Sequence, residues 1–378
     1  MLVPKLRFKE FEDSWTIDEL GNFVDINSGD SPSKFKMLEK GIPYFKVEQL
    51  NNCYKYQDNT IYHIIIDKPI KKGSIIFPKR GAAILLNKIR ILKYDSYIDT
   101  NLMSLTTHNI NNEFLYYYLL KSNLSNIADT SSIPQINNKH ILPYKIRIPA
   151  LKEQCKISKT LSLLDQKIEL QQRKIEVLKM YKRGLINKLY TSLDCSEVQI
   201  KDIGKVITGT TPSKDNLSYW SNGTIVWVTP SDITEFKNIS DSQIHLTPQG
   251  LNAGRKLPKN TLLITCIASI GKNAILKVDG SCNQQINAII PCSDYDIDFL
   301  YYLFEYKKSY MQSIAGTSAT SIINKSSFEK ILLKIPKISV QKNIAKNLSA
   351  IDYKIEIQQH LLDRLFTLKK SLLQQMFI

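Results

Sequence analysis

The chain has no CxxC pair among its six cysteines and no HxxxH spacing among His63, His108, His140, His245 and His360. That pattern argues against a zinc site or a disulfide framework and fits reduced thiols in a cytoplasmic protein. No apolar run approaches the length of a membrane span, and the opening stretch MLVPKLRFKEF lacks the apolar segment of a secretion signal. A soluble protein is expected. The parts of several enzymes are missing as well. There is no GxxxxGK[ST] phosphate loop for an ATP-driven motor, and no glycine-rich strand-to-helix turn followed by an acidic residue for an adenosine cofactor. The Asn/Asp-Pro-Pro-aromatic tetrad of an amino-methyltransferase is also absent. Glu305-Tyr306-Lys307 has the ExK form of a metal nuclease, but it lies in an aromatic helix-like run without a counterpart elsewhere and reads as an ordinary surface pair. No catalysis and no metal site are expected.

What is present is a duplication. From Pro149 the chain reads PALKEQCKISKTLSLLDQKIELQQRKIEVLKMYKRGLINKLY, and from Pro336 PKISVQKNIAKNLSAIDYKIEIQQHLLDRLFTLKKSLLQQMF. These align without a gap at a constant offset of 187, pairing Gln154 with Gln341 and Asp165 with Asp352. A chain of 378 residues is therefore two units of about 190, each long enough for a globule and a long helix. The predicted order is a globule over 1–148, a long helix over 149–192, a second globule over 193–335 and a second helix over 336–378.

Both globules read as α+β. Short strand-like runs (Ile42 to Val47, Gly73 to Phe77, Ile225 to Val228) alternate with polar turns, and Phe114 to Leu120 and Phe299 to Tyr302 read as buried helices. Tyr44 and Trp227, inside strand-like runs, read as core. Ile314-Ala315-Gly316-Thr317-Ser318 echoes Ile127-Ala128-Asp129-Thr130-Ser131 at the same offset of 187.

Residues 151–190 contain one glycine and no proline. Ile157, Leu161, Leu164, Ile168, Ile175, Leu178, Leu185 and Leu189 recur at 3-4 spacing, as do Ile344, Leu348, Ile351, Ile355, Leu362, Leu365, Leu372 and Met376, the pattern of a coiled-coil seam. About 40 residues make a rod of about 60 Å. Two polar pairs interrupt the seam at equivalent places. Gln171 and Gln358 lie near the helix midpoints, where an antiparallel, pseudo-twofold pair brings repeats together, so they are expected to meet and fix the register. Lys182 and Lys369 are expected to reach outward, their stems covering apolar surface.

The charge is strongly basic, 51 Lys and Arg against 35 Asp and Glu, which suggests a polyanionic partner. Residue types that read base edges or hold phosphates gather in corresponding loops of the two globules. In the first they are Ser33, Lys34, Lys36, Lys79, Arg80, Asn87, Lys88, Arg90, Gln135, Asn137, Asn138 and Lys139. In the second they are Thr210, Thr211, Ser213, Lys214, Asn216, Ser269, Lys272, Asn273, Asn283, Gln284, Gln285, Asn324 and Lys325. Double-stranded DNA is the partner these imply. The competing reading is a non-catalytic coiled-coil adaptor whose globules bind proteins.

Thr208-Gly209-Thr210-Thr211-Pro212-Ser213-Lys214, Trp227-Val228-Thr229-Pro230-Ser231-Asp232, Asn283-Gln284-Gln285 and the stretches Ile148 to Gln154 and Ile335 to Gln341 carry a resemblance. In this combination the chain resembles the specificity subunit of type I restriction-modification systems along essentially its whole length. The first globule departs from that pattern, with Asp30-Ser31 in place of Thr210-Thr211 and Lys46-Val47-Glu48 in place of Thr229-Pro230-Ser231. The resemblance implies that each globule is a target recognition domain for one half of a bipartite DNA sequence. It also implies that the paired helices act as spacer and dock two modification (methyltransferase) subunits. S-adenosylmethionine, ATP and Mg would then reside on those subunits and on restriction (translocase and nuclease) subunits, and none on this chain.

Overall fold

The computed structural model describes residues 3–130, 133–195, 197–315 and 321–378. Of the echoed stretches, Ser131 and Gly316-Thr317-Ser318 lie outside the described residues. The chain forms two compact units, Met1–Lys174 with Gln358–Ile378, and Ile175–Ile357. Both boundaries fall inside the long helices, Leu151–Thr191 and Ile338–Met376, so each unit holds one globule and a segment of either helix.

The two globules share one topology. In the first, a five-stranded sheet runs in the order Val24–Ser28, Leu102–Thr107, Ile75–Pro78, Arg90–Leu92, Tyr56–Gln57. The second repeats it with Gly204–Thr208, Ile286–Pro291, Thr261–Thr265, Asn273–Leu276, Asn238–Ile239. In both, the last pair is parallel and the rest antiparallel. A three-stranded sheet is also repeated, with Ile42–Phe45 between His63–Ile64 and Tyr97–Ile98, and Ile225–Val228 between His245–Leu246 and Gly280–Cys282. Thr261–Thr265 is buried at every position, which is why it reads as a continuous apolar run instead of an alternation.

Against each five-stranded sheet lies an aromatic helix, Asn112–Ser122 or Ile297–Ile314. Asn111 and Asp296 cap these helices by accepting from the amides of Phe114 (2.9 Å) and Phe299 (2.8 Å). The same caps receive the long helices: Gln154 Oε1 accepts from the amide of Asn111, and Gln341 Oε1 from that of Asp296, both at 2.9 Å. The Gln of the repeated motif thus ties the start of each long helix to its own globule. The far ends dock elsewhere. Phe377 packs on Phe114 in the first unit (centroids 5.3 Å apart), and Tyr190, its counterpart 187 residues earlier, packs on Phe299 in the second (5.2 Å).

Within the first unit Asp165 pairs with Lys369, while Ile157 and Leu161 share a core with Met376. The helix segments there run antiparallel. In the second unit Lys182 pairs with Asp352, and Ile186 and Tyr190 share a core with Ile344 and Leu348, so the same sense holds. Gln171 meets Gln358: its Nε2 donates to the side-chain oxygen of Gln358 at 3.1 Å and to the main-chain oxygen at 2.8 Å.

Lys182 and Lys369 correct the sequence expectation, because neither reaches outward. The Lys369 side chain is 10% exposed, with its ammonium 2.7 Å from Asp165 Oδ1 and donating to Tyr54 Oη at 3.0 Å. Burial lowers the Lys369 pKa, and Asp165 opposes that shift. Lys182 Nζ lies 2.5 Å from Asp352 Oδ1. Each lysine stays inside because it finds a carboxylate on the opposite helix. The apolar seam also shifts. Ile157, Leu161, Leu164, Ile168 and Ile175 are buried, but Leu178, Leu185 and Leu189 are half-buried, and Ile186 and Tyr190 take the inner positions. On the second helix Ile344, Leu348, Ile351 and Leu362 are buried, while Ile355, Gln358 and Leu365 are half-buried. Glu305 is a further correction, being half-buried with its carboxyl pushed up by burial against the opposing charges of Lys182 and Lys308.

Each helix aspartate anchors a wider cluster. Tyr117 Oη donates to Asp165 Oδ2 (2.6 Å), and Lys55 Nζ reaches Tyr117 Oη (3.1 Å), Ser162 Oγ (3.0 Å) and Glu113 Oε1 (2.9 Å). The second unit repeats this with Tyr302 to Asp352 (2.5 Å), and with Lys237 to Tyr302 (3.5 Å), Ser349 (2.9 Å) and Asp298 (2.8 Å). Removing one partner of such a pair strands a buried charge. Asp165→Ala is therefore expected to lower stability to urea by about 3–5 kcal/mol. Glu169→Ala, in the exposed pair with Arg173, should change it by no more than the error of the measurement.

Candidate nucleic-acid interface

At one edge of the first globule a chain of backbone contacts gathers three loops. After Val24–Ser28 the chain passes so close to its neighbour that a Cβ on Gly29 would lie 2.1 Å from the carbonyl oxygen of Ile98. The Asp30 amide donates to that same carbonyl at 3.2 Å. Further along the same neighbouring stretch, Lys79 N donates to Asn101 O (2.8 Å), Ile136 N to Lys79 O (2.9 Å) and Gly81 N to Pro134 O (2.8 Å). Arg80 bridges Gln135, and Gln135 Nε2 donates to Asn137 Oδ1 at 3.1 Å. The structure thus brings together the loop of Ser33, Lys34 and Lys36 with Lys79, Arg80, Gln135 and Asn137. Lys139 follows in the short helix Asn138–Ile141. Ser33, Lys34, Lys36, Arg80, Asn138 and Lys139 are exposed, while burial, assisted by the adjacent Arg80 charge, lowers the pKa of half-buried Lys79.

The second globule builds the same cluster from other residues. A Cβ on Gly209 would lie 2.1 Å from Asn283 O, and Thr210 N donates to Cys282 O at 2.9 Å. Thr211 Oγ1 donates to Gln284 Oε1, and Asn283 Nδ2 to Gln285 Oε1 at 3.1 Å. Cys266 N donates to Gln285 O (2.8 Å), Ile323 N to Cys266 O (2.9 Å) and Ala268 N to Ser321 O (3.1 Å). Thr210, Thr211, Ser213, Lys214, Ser269, Gln284, Gln285 and Asn324 are therefore linked. Ser213, Lys214, Asn216, Gln284, Asn324 and Lys325 are exposed, with Asn216 and Asn324 also capping the short helical turns that follow them.

Other sequence candidates serve the fold. Asn87, in the left-handed region (φ 45°), donates to Leu120 O (3.0 Å) and accepts from Leu124 N (3.2 Å). Arg90 donates to Leu50 O (2.7 Å) and Ile89 O (2.8 Å), and Lys88 to Asn51. These three lie outside the loop cluster. Asn273 is 3% exposed and donates to Tyr301 O at 2.7 Å, and Lys272 is half-buried at the start of that strand. Two charged residues were missed. Asp30 accepts from Lys34 and from Tyr97 Oη (2.9 Å), contacts that hold its carboxyl below the usual range. Arg255, exposed after a short helix, donates to Thr208 O at 2.6 Å, and the basic pair Arg255-Lys256 following Gly254 was the available signal.

Among the described residues no group of three or more His, Cys, Asp or Glu could hold a metal ion, and no helix is long and apolar enough to cross a membrane. All six cysteines are free, and burial pushes the thiols of Cys266 and Cys282 up to about 12.

A duplicated α+β recognition globule joined by a long helix defines a class of two-domain DNA-specificity proteins. The type I restriction modification DNA specificity domain matches the chain twice, over residues 12–180 and 193–366, and the chain belongs to that family. It is similar to the type I restriction enzyme MjaIX specificity subunit of Methanocaldococcus jannaschii, at 36% identity over 42% of this chain and 38% of that one. It is also similar to the putative MjaX specificity subunit of the same organism, at 26% identity over 98% of this chain and 94% of that one. Among solved structures, the type I restriction-modification S subunit from M. genitalium shares the fold with a TM-score of 0.64, at 16% identity, covering 100% of this chain and 99% of that one. The two specificity-domain matches favour the DNA reading over a protein-binding adaptor.

One backbone feature recurs at the repeat offset. Gly81 has φ 81° and Ala268 has φ 61°, and each amide donates to the loop opposite. A left-handed alanine is strained, whereas a Cβ on Gly81 would meet open space. Ala268→Gly is expected to raise stability by about 0.5 kcal/mol, and Gly81→Ala, at a φ of 81° and ψ of −174° that only glycine adopts readily, to lower it by about 1–3 kcal/mol in urea unfolding.

Proposed function

We propose that this chain is the DNA-specificity subunit of a type I restriction-modification complex and performs no chemistry itself. Each loop cluster reads one half of a bipartite duplex target. The observation that carries this reading is the same loop cluster built twice around a shared Ser-Lys pair, Ser33-Lys34 and Ser213-Lys214, with other side chains beside it, Asp30 and Arg80 in one and Thr210 and Gln284 in the other. A shared framework with divergent tips recognises two different half-sites, so the target is asymmetric. Exposed Lys and Arg around each cluster supply phosphate contacts that hold the duplex, and the amide and hydroxyl side chains supply base contacts.

The long helices are the spacer and the dock. In the first unit Leu163 and Leu170 (52% and 63% exposed) lie one heptad apart on one helix, and Leu361 and Leu368 (44% and 48%) one heptad apart on the other. In the second unit Val177, Met180, Tyr181, Tyr353 and Ile357 are likewise exposed. Apolar residues at helical spacing on a solvent face fit partner helices. Two modification subunits, carrying S-adenosylmethionine, would cover them in the cytoplasm. Restriction subunits with ATP and Mg would join the larger complex.

Methylome sequencing of a host expressing the chain with its modification subunit is expected to reveal one bipartite motif. Replacing residues 1–148 with another recognition domain should change one half of it, and a swap that alters both halves or neither would refute the reading. DNA affinity should fall steeply with salt, and Lys34→Ala with Arg80→Ala should flatten the logarithmic salt slope by about one for each lost phosphate contact.

A further inference from the structure

The loop after the first strand of each five-stranded sheet is held by an aromatic side chain whose polar end reaches one particular carbonyl. In the first unit Tyr44 Oη donates to Asp30 O at 2.7 Å. In the second, Trp227 Nε1 donates to Thr210 O at 3.1 Å. Asp30 and Thr210 occupy the same loop position, one residue after Gly29 and Gly209. Tyr44 and Trp227 occupy the same strand, third in Ile42–Phe45 and in Ile225–Val228. A hydroxyl and an indole N–H, on rings of different size, perform one task.

A second aromatic completes each hold. Trp220 Nε1 donates to Ser213 O at 2.9 Å and packs edge-on against Trp227, with centroids 5.0 Å apart. In the first unit Phe35, just past the loop, packs against Tyr44 (5.8 Å) and Tyr97 (5.6 Å), and Tyr97 Oη donates to the Asp30 side chain. Burial, with the charges of Asp99 and Asp30 adding to it, raises the Tyr44 pKa far above neutrality, so its hydroxyl keeps the proton it donates. Both ends of each loop are fixed, and Ser33 and Lys34, or Ser213 and Lys214, stand exposed on it.

We infer that Tyr44 and Trp227 are positioning residues for DNA recognition, each setting the loop that reads the half-site of its own unit. They touch no base. Fixing the loop before binding removes an ordering cost and penalises sequences that would need another loop conformation. This inference rests on the DNA-specificity reading above.

The test uses the full chain with its modification subunit and measures methylation at the target and at sites mismatched in one half. Tyr44→Phe and Trp227→Phe remove one donor each and keep the ring. Tyr44→Phe is expected to narrow discrimination at one half-site by about tenfold, the equivalent of one hydrogen bond, and to leave the other half unchanged. Trp227→Phe should do the reverse. Should Trp227→Phe not assemble, Trp220→Phe removes the donor to Ser213 from a half-buried ring and should affect the same half-site. Discrimination that falls equally at both halves, methylation that falls equally at all sites, or no change in either variant overturns the inference. A wild-type methylome without a bipartite motif sinks the DNA-specificity reading itself, whereas a bipartite motif with unmoved variants sinks only the positioning role.

Discussion

Each unit depends on one helix carboxylate, buried in the first unit and half-buried in the second. Asp165 takes Tyr117 from the aromatic helix and Lys369 from the opposite long helix, and Lys55 holds that tyrosine to Ser162 and Glu113. Asp352 repeats the arrangement with Tyr302, Lys182, Lys237, Ser349 and Asp298. Three chain segments converge on a single side chain in either unit. Buried ion pairs contribute little net stability, because desolvation offsets much of the attraction. Their effect is on alternatives. A slip of one heptad moves a helix by about 10 Å and keeps its seam facing inward, but it leaves an aspartate and a lysine without each other. An apolar seam alone tolerates such a slip far better, because one leucine replaces another.

The lysines make the device reciprocal. Lys369 belongs to the second copy of the repeated helix and serves an aspartate of the first copy, and Lys182 belongs to the first and serves the second. Gln171 and Gln358 add two hydrogen bonds of their own. If the helices space two half-sites as proposed, a heptad slip of about 10 Å would change which base pairs come within reach. Register is therefore a functional quantity here, which accounts for polar residues at seam positions where apolar ones would bind more tightly.

The duplication, the long helices and the buried aromatic helices were legible in the sequence, because periodicity and self-similarity are local signals. The inward turn of Lys182 and Lys369 was not. A lysine in an apolar seam reads as snorkelling until the antiparallel register places a carboxylate opposite it, and Asp165 and Asp352 stood in the alignment with no visible partner. The seam beyond Ile175 was misread for a related reason: a straight helix drifts from a 3.5-residue repeat, and Ile186 and Tyr190 turn toward the globule's core. Among the loop candidates, the exposure of Ser33, Lys34, Ser213 and Lys214 was legible because Ser-Pro and Thr-Pro mark turns. Asn87, Arg90 and Asn273 bond main-chain carbonyls of the fold, a use the sequence does not reveal because such a side chain has the same chemistry as one that reads a base edge.

Comparison of the two units separates what the fold requires from what the surface presents. The fold keeps positions of backbone atoms: the carbonyl of residue 30 or 210 has a donor, and the amide of residue 81 or 268 has an acceptor. Residue identity at those places is free to change, from tyrosine to tryptophan and from glycine to a strained alanine. The exposed chemistry changes most. Asp30, an anion held by Lys34 and Tyr97, stands where the second unit has the neutral Thr210. The Thr210 hydroxyl is buried, so the first loop presents a carboxylate where the second presents no polar side-chain atom. Two loops on equivalent supports therefore differ in charge, which is the kind of difference that the proposed reading of two different half-sites requires.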